Sequence, residues 1–293
     1  MIRCLMVAVA AAVTATAGLA APAGIAVPIT YSLNYDPTLS PHGQRMVFLK
    51  LLEGREQLFI ADAGGGNERQ LSHDSADIED PAWSPDGKQL AYVRLDGPRN
   101  SLHVMTIDGG NDRIVSPPGH SAIHPAWMPD GKSILYCTND DLDPPRKNEA
   151  EIYRVDLATG TVATVIGGGV NTYPVPSPDG RRIAFRKMLG VNSEIFVANI
   201  DGTEPRNLTD HPAFEGWPAW SPDGTRLAFA ANRNSSYQVF VMNADGKEVR
   251  LVANSEGRAT APKWSRDGQT IVFTNCWKTG LKSACEIFTA AAP

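Results

Sequence analysis

The sequence predicts an all-β protein: a six-bladed β-propeller of four-stranded antiparallel blades, with its ring closed by the N-terminal strand. First, the phrase Trp-Ser-Pro-Asp-Gly, or a variant of it, occurs six times, and its final glycines are 44, 44, 49, 44 and 44 residues apart. This spacing is typical of propeller blades. Second, each copy contains four short runs of alternating apolar and polar residues, the pattern of strands. The six glycines are Gly43, Gly87, Gly131, Gly180, Gly224 and Gly268.

The copy around Trp220 shows the repeating unit in full. Its four apolar runs are Pro218–Trp220, Arg226–Ala230, Tyr237–Met242 and Val249–Val252. A Ser-Pro-Asp-Gly turn joins the first two runs, and an Asp-Gly turn joins the last two. Proline presets φ in a tight turn, aspartate can bond backbone amides, and glycine accepts a positive φ. The unit is therefore a four-stranded meander, which must stack on its neighbours to bury its faces.

Residues 1–23 have the composition of a secretory signal peptide. A single positive charge at Arg3 precedes an apolar run from Cys4 to Val13, and Ala15-Thr16-Ala17 and Ala21-Pro22-Ala23 are small-residue cleavage candidates. The apolar run is too short to span a membrane. We therefore expect residues 24–293 to form one exported propeller domain, periplasmic or secreted, with no membrane span. A closed ring needs no second subunit, so a monomer is expected.

The two ends of the mature chain predict how the ring closes. Val27–Ser32 resembles an outermost strand without a blade, whereas the last unit stops after its third strand at Glu286–Thr289. We expect Ile29–Ser32 to complete the last blade, because closure removes an open sheet edge.

Three cysteines follow the signal peptide. Cys276 and Cys285 flank the hairpin loop of the last unit, and in an oxidising compartment a disulfide between them is predicted. Cys137 lies within a strand and is expected to be a buried free thiol.

Charge and motifs exclude several classes of function. Lys and Arg total 27 against 32 Asp and Glu, a net charge of −5, which argues against non-specific nucleic-acid binding. The sequence has no Gly-x-Ser-x-Gly nucleophile motif, no phosphate-binding Gly-x-x-x-x-Gly-Lys and no His-Glu-x-x-His. No catalytic residue and no cofactor are predicted from these patterns.

The variable loops all lie at one end of the predicted ring, where function usually resides. The loops that lead into the innermost strands should line the mouth of the central channel. In five units an aspartate, histidine or aromatic residue directly precedes the proline of that strand. The candidate ligand- or partner-binding residues are Asp36, Asp80, His124, Tyr173 and Trp217, with Glu215 and Arg258 from the same loops.

The same loops contain four of the six histidines. Imidazoles and carboxylates can hold a divalent ion, either calcium or a transition metal. His73, His124 and His211 are the candidate ligands for this alternative.

The repeated phrase resembles the TolB-type (PD40, WD40-like) propeller repeat. The motif Trp-Ser-Pro-Asp-Gly followed by Leu-Ala-Tyr/Phe is best preserved at Trp83–Val93 and Trp220–Phe229, and Arg206–Thr209 supplies the Arg-x-Leu-Thr segment. The resemblance implies an exported, non-catalytic binding module that engages a protein or peptide partner, such as an envelope lipoprotein, at the channel mouth. The N-terminal domain of TolB itself is expected to be missing. The similarity to propeller lyases implies the alternative, a metal-assisted lyase or hydrolase acting on a carbohydrate-type polymer at the same mouth.

Overall fold

A computed structural model of the chain describes residues 26–29, 34–95, 97–138, 149–279 and 282–293. These residues form 24 strands in six separate four-stranded antiparallel sheets, and none of them is helical. The six sheets are the blades of a ring, so the predicted six-bladed propeller is confirmed. The described part of the chain contains no helix with the length and hydropathy needed to cross a bilayer. The predicted signal peptide lies outside the described residues.

Each blade runs from an innermost strand at the central channel to a short outermost strand. In blades 1 to 5 the four strands are consecutive in the chain. In blade 6 the outermost strand is supplied by the N-terminus. The strands are β1 (Val27–Pro28); β2 (Asn34–Leu39), β3 (Arg45–Leu52), β4 (Arg55–Asp62) and β5 (Arg69–Gln70) in blade 1; β6 (Asp77–Trp83), β7 (Gln89–Leu95), β8 (Ser101–Thr106) and β9 (Arg113–Ile114) in blade 2; β10 (Ala122–Trp127), β11 (Ser133–Thr138), β12 (Ile152–Asp156) and β13 (Val162–Ile166) in blade 3; β14 (Asn171–Pro176), β15 (Arg182–Leu189), β16 (Asn192–Asn199) and β17 (Arg206–Asn207) in blade 4; β18 (Glu215–Trp220), β19 (Arg226–Ala231), β20 (Gln238–Asn243) and β21 (Arg250–Leu251) in blade 5; β22 (Arg258–Trp264), β23 (Thr270–Thr279) and β24 (Lys282–Ala291) in blade 6.

The Ser-Pro-Asp-Gly turns owe their shape to a hydrogen-bonded serine. In blade 2, the Ser84 hydroxyl donates to Asp86 Oδ1 over 2.6 Å and accepts the N–H of Gln89 over 2.9 Å. Gly87 closes the turn with φ at 69°, in the left-handed region that favours glycine. The turn therefore fixes the angle between the two inner strands of the blade.

Tryptophans of the repeat join neighbouring blades by hydrogen bonds as well as by packing. The Trp83 indole N–H donates to the Thr38 carbonyl at 3.0 Å, and that of Trp127 donates to the Ala82 carbonyl at 3.1 Å. Trp220 and Trp264 repeat this bond to blades 4 and 5. Buried side chains also cross the seams, as where Val47 of blade 1 shares a cluster with Leu90 of blade 2. Blades therefore bury the faces that a single sheet would expose.

The N-terminal strand closes the ring, but two residues earlier than predicted. Val27 and Pro28 pair with Thr289 and Phe288, and the Ile29 N–H donates to the Ile287 carbonyl at 2.8 Å. Residues 30–33, the rest of the predicted closing strand, lie outside the described residues. A proline is tolerated here because the strand is at the sheet edge, where its missing N–H is not needed.

A disulfide joins Cys276 and Cys285 in the last blade. The sequence predicted that these two residues flank the hairpin loop. In the structure they lie within the strands, because β23 continues past Cys276 to Thr279 and β24 begins before Cys285, at Lys282. They face each other in the ladder instead. Cys137 is a fully buried free thiol in β11.

We expect Trp83→Phe to lower the free energy of unfolding by about 1–3 kcal/mol, because the buried Thr38 carbonyl loses its donor. Urea denaturation measures this change. Trp277→Phe is the matched control, since Trp277 lies outside the repeat and packs edge-on against Phe288. Equal effects of the two substitutions would contradict a role for the indole hydrogen bond.

Candidate functional site

The central channel of the described structure forms a cavity of about 610 Å³. Its walls come from the innermost strands of all six blades. The candidate residues Asp36, Asp80, His124, Tyr173 and Trp217 all line it.

One residue per blade adopts a left-handed backbone at the channel mouth. In each innermost strand, the residue before the proline has φ between 49° and 53°, and the strand register shifts at this point. Such a φ is a genuine outlier for bulky side chains, and strain of this type is often found at functional sites. The bulge turns each of these side chains towards the channel. These six rim residues are Asp36, Asp80, His124, Tyr173, Trp217 and Ala261.

Blades 3, 4 and 5 present a continuous aromatic surface, here called the aromatic arc and formed by His124, Tyr173, Trp217 and Tyr237. Successive ring centroids are 3.7, 5.1 and 5.6 Å apart. These separations allow direct contact between each ring and the next, as in favourable aromatic pairs. The arc is therefore one packed unit and not a set of independent side chains.

Two arginines stack on the aromatic arc. The guanidinium carbon of Arg186 lies 4.9 Å from the Tyr173 ring centroid. That of Arg258 lies 4.8 Å from the Tyr237 centroid and 5.8 Å from that of Trp217. Each contact is a cation–π interaction that orients the arginine side chain.

Arg186 reaches the arc because the neighbouring blade leaves room for it. Its Nε–H donates to Thr172 Oγ1 at 2.8 Å. A Cβ on Gly216 of blade 5 would come within 3.3 Å of the Arg186 Cδ, which is tighter than usual packing. Glycine at this position therefore allows the arginine to lie in the seam between blades 4 and 5.

Blades 1 and 2 give the opposite side of the mouth an acidic character. Burial raises the pKa of Asp36 to about 7, and the Asp80 carboxylate adds to the rise while Lys263 opposes it. Burial also raises the pKa of Asp80 to about 6, against the hydrogen bond from the His124 N–H and the charge of Lys263. Burial and neighbouring carboxylates raise the pKa of Glu79 to about 7. The mouth is thus acidic on one half and aromatic with arginines on the other.

His124 lies at the border between the two halves. Its backbone N–H donates to Asp80 Oδ2 at 2.8 Å, and its Nδ1 is 3.2 Å from the Cys137 sulfur. Burial lowers the pKa of His124 well below its ordinary value, and the charges of Arg186 and Lys263 lower it further. The imidazole is therefore neutral at pH 7 and acts as an aromatic ring.

The channel lining reaches further into blade 6, where the rim residue is small. In the other five blades the lining comes from the innermost strand and its turn, but in blade 6 it extends to Thr274, Cys276 and Cys285. Ala261 leaves this space open. Lys263, two residues further on, brings a cation to a position that is Thr or apolar in the other blades.

Glu215 lies behind the rim and does not face the channel. Its side chain is 0% exposed, and its Oε1 lies 2.6 Å from a terminal nitrogen of Arg233. Its other oxygen is buried with no hydrogen-bond partner among the described residues. Glu215 therefore supports the loop beside Trp217 and cannot contact a partner directly.

The candidate metal ligands His73, His124 and His211 are not gathered into one site. His73 is exposed, and His211 Nδ1 accepts the Ala213 N–H. Among the described residues, no three His, Cys, Asp or Glu side chains are grouped so that they could hold an ion. The three histidines therefore do not form a common site in the described part of the chain.

Arg186, Tyr237 and Lys263 were not predicted from the sequence as residues of the mouth. Lys263 could have been found from the sequence, because an alignment of the repeats places a lysine there and threonine or apolar residues at the same position in the other blades. Arg186 lies on the second strand of its blade, and Tyr237 directly precedes a third strand. Their approach to the rim depends on packing between blades.

Replacing Glu79 should remove a pH-dependent destabilisation. The folded protein holds an extra proton on Glu79 between about pH 4.5 and 7, so wild-type stability falls as pH rises through this window. Solvent screening at this half-buried carboxyl reduces the effect. Glu79→Gln should then be about 1–2 kcal/mol more stable than wild type at pH 8 and equal to it at pH 4. Thermal unfolding across this range is the measurement.

Asp223→Asn is the control, because the carboxylate of Asp223 makes stability rise with pH whereas that of Glu79 makes it fall. Hydrogen bonds from Ser221 and Thr225 lower the pKa of Asp223 to about 2, so its carboxylate stabilises the fold above that pH. This variant should be less stable than wild type at pH 6 and equal to it near pH 2. Parallel pH profiles of wild type and Glu79→Gln would contradict the destabilising burial of that carboxyl.

Comparison with solved structures shows the same fold in several proteins. The TolB assigned in Agrobacterium tumefaciens has a TM-score of 0.69 at 21% identity, over 90% of this chain and 92% of that one. TolB from Acinetobacter baumannii has a TM-score of 0.68 at 22% identity, over 88% of this chain, which spans 63% of that one. An oligogalacturonate lyase from Vibrio parahaemolyticus has a TM-score of 0.62 at 12% identity, over 92% and 93%. At these identities the likeness concerns the fold alone.

A sequence-level match is more specific. No curated protein matches the chain. A family model, however, described as the TolB beta propeller domain, matches residues 19–143 and 144–287. The two matches together span most of the chain, and the chain therefore belongs to the TolB beta-propeller domain family.

Proposed function

We propose that the chain is an exported, non-catalytic binding module whose channel mouth engages a protein or peptide partner of the cell envelope. The observation that carries this proposal is the set of six rim residues, held in one repeated strained backbone, three of which form a packed aromatic arc with Tyr237. Trp, Tyr and Arg are the residues most enriched in the energetic centres of protein interfaces. The arc and the arginines stacked on it combine all three.

Exposed apolar side chains lie at the same end of blades 4 and 5. Val191, at the tip of the β15–β16 hairpin, is 89% exposed, and Leu189 beside it is 41% exposed. Phe214 is 37% exposed and pairs with Ser193 next to that hairpin. Leu189, Val191 and Phe214 are here called the apolar tip. Several exposed apolar side chains near the mouth favour a macromolecular partner over a small ligand.

Site-specific photocrosslinking in the organism's own cells tests the proposal. A photoreactive amino acid at position 191 or 214 should capture the same protein, and Trp217→Ala should abolish the capture. The control position is 114, because Ile114 is 60% exposed but lies on the outermost strand of blade 2. Capture of the same protein from position 114, or none from the two mouth positions, would count against the proposal.

Export is part of the proposed function and has its own test. The Ala21-Pro22-Ala23 sequence predicts that the mature chain begins at residue 24, just before the closing strand at Val27. N-terminal sequencing of protein isolated from its native cells should find this start. A chain that retains Met1 would contradict export by a cleaved signal peptide.

A further inference from the structure

Arg186 and Arg258 carry charges that the described structure does not neutralise. In the described part of the chain neither forms an ion pair, whereas Arg94 and Arg233 each pair with a carboxylate. Arg186 is partly buried, and an unpaired guanidinium in such a position is costly. Both arginines are held in place by the aromatic arc, so their charges are presented at the mouth in fixed positions.

Stacking leaves the hydrogen-bonding edge of each guanidinium available. The guanidinium of Arg186 lies over the Tyr173 ring and that of Arg258 over the Tyr237 ring. Arg186 uses its Nε–H on Thr172, which leaves its two terminal nitrogens to donate. A guanidinium in this state matches a carboxylate in bidentate geometry, which a lysine cannot do.

The geometry points to an acidic peptide segment as the partner of the aromatic arc. We propose that carboxylates of this segment bind Arg186 and Arg258, while its apolar side chains pack on the arc and on the apolar tip. The proposal rests on the proposed function, since it names the kind of partner that the channel mouth accepts.

The acidic half of the mouth fixes the orientation of such a segment. Asp36, Glu79 and Asp80 repel a carboxylate that approaches blades 1 and 2, and their mutual repulsion contributes to the raised pKa values of Asp36 and Glu79. Unfavourable contacts of this kind add to the attractive ones in selecting one binding orientation. The acidic residues of the partner therefore lie over blades 4 to 6.

A selection from a random peptide library displayed on phage tests the proposal and does not require the partner to be identified. Peptides retained by the wild-type protein should be enriched in Asp and Glu. The dissociation constants of the best peptides should rise about tenfold with Arg186→Gln and again with Arg258→Gln, in line with charged hydrogen bonds. Arg186→Lys should bind little better than Arg186→Gln, because lysine keeps the positive charge but cannot donate two parallel hydrogen bonds to a carboxylate. Affinity should also weaken as salt increases.

Arg113→Gln and Arg266→Gln provide controls with the same change in net charge. Both residues are exposed and lie away from the mouth, on β9 and in the turn before β23. Peptide binding should be unchanged in both. Thermal unfolding of each variant separates loss of binding from loss of fold.

The outcomes distinguish this inference from the proposed function. Peptides that lose binding with Trp217→Ala but have a neutral or basic consensus would overturn the acidic segment and retain the binding mouth. Acidic peptides that bind the Arg186→Gln/Arg258→Gln double variant as tightly as wild type would also overturn the acidic segment and retain the binding mouth. If no selected peptide depends on Trp217, the acidic segment and the binding mouth both fail.

Discussion

Four of the six seams in the ring share one contact between neighbouring blades, the hydrogen bond from a repeat tryptophan to a carbonyl of the preceding blade. The accepting carbonyl lies two residues after a rim residue, as Thr38 follows Asp36. The indole therefore fixes the part of the innermost strand that shapes the mouth. A four-stranded sheet could not hold this geometry by itself, because neither of its faces would be buried. Stability and the position of the site arise from the same contact.

The strained backbone at the rim gives the mouth its chemical variety. Every blade offers one side chain from the same left-handed bulge, and the proline after it limits the chain on that side. The surrounding sheet has the same form from blade to blade. Asp80 and Trp217 thus occupy equivalent places while providing opposite chemistry, and the fold does not constrain which residue stands there.

Much of this arrangement could be predicted from the sequence, because a repeat fixes register. The prolines alone are enough to place Asp36 and Trp217 at the mouth. The side-chain partners of the loop residues could not be predicted in the same way. Arg233, from the loop after β19, neutralises Glu215 behind the rim. The position of Arg186 depends on the missing side chain of Gly216 in another blade, and no pattern within one repeat reveals that. The left-handed φ of Tyr173 was also unexpected, since aromatic residues rarely adopt it.

The tryptophans also divide the ring. Blades 1, 2 and 3 are linked by Trp83 and Trp127, and blades 4, 5 and 6 by Trp220 and Trp264. At the two remaining seams, Pro176 and Leu39 stand where the tryptophan would be. The propeller is in this sense a pair of three-blade arches, one carrying the carboxylates and the other the arginines. The two joints between the arches are held in another way: His124 packs on Tyr173 at one, with ring centroids 3.7 Å apart, and the Asp36 N–H donates to Thr274 Oγ1 at 2.9 Å at the other. Rim residues therefore take over at these joints the linking role that the indoles have elsewhere.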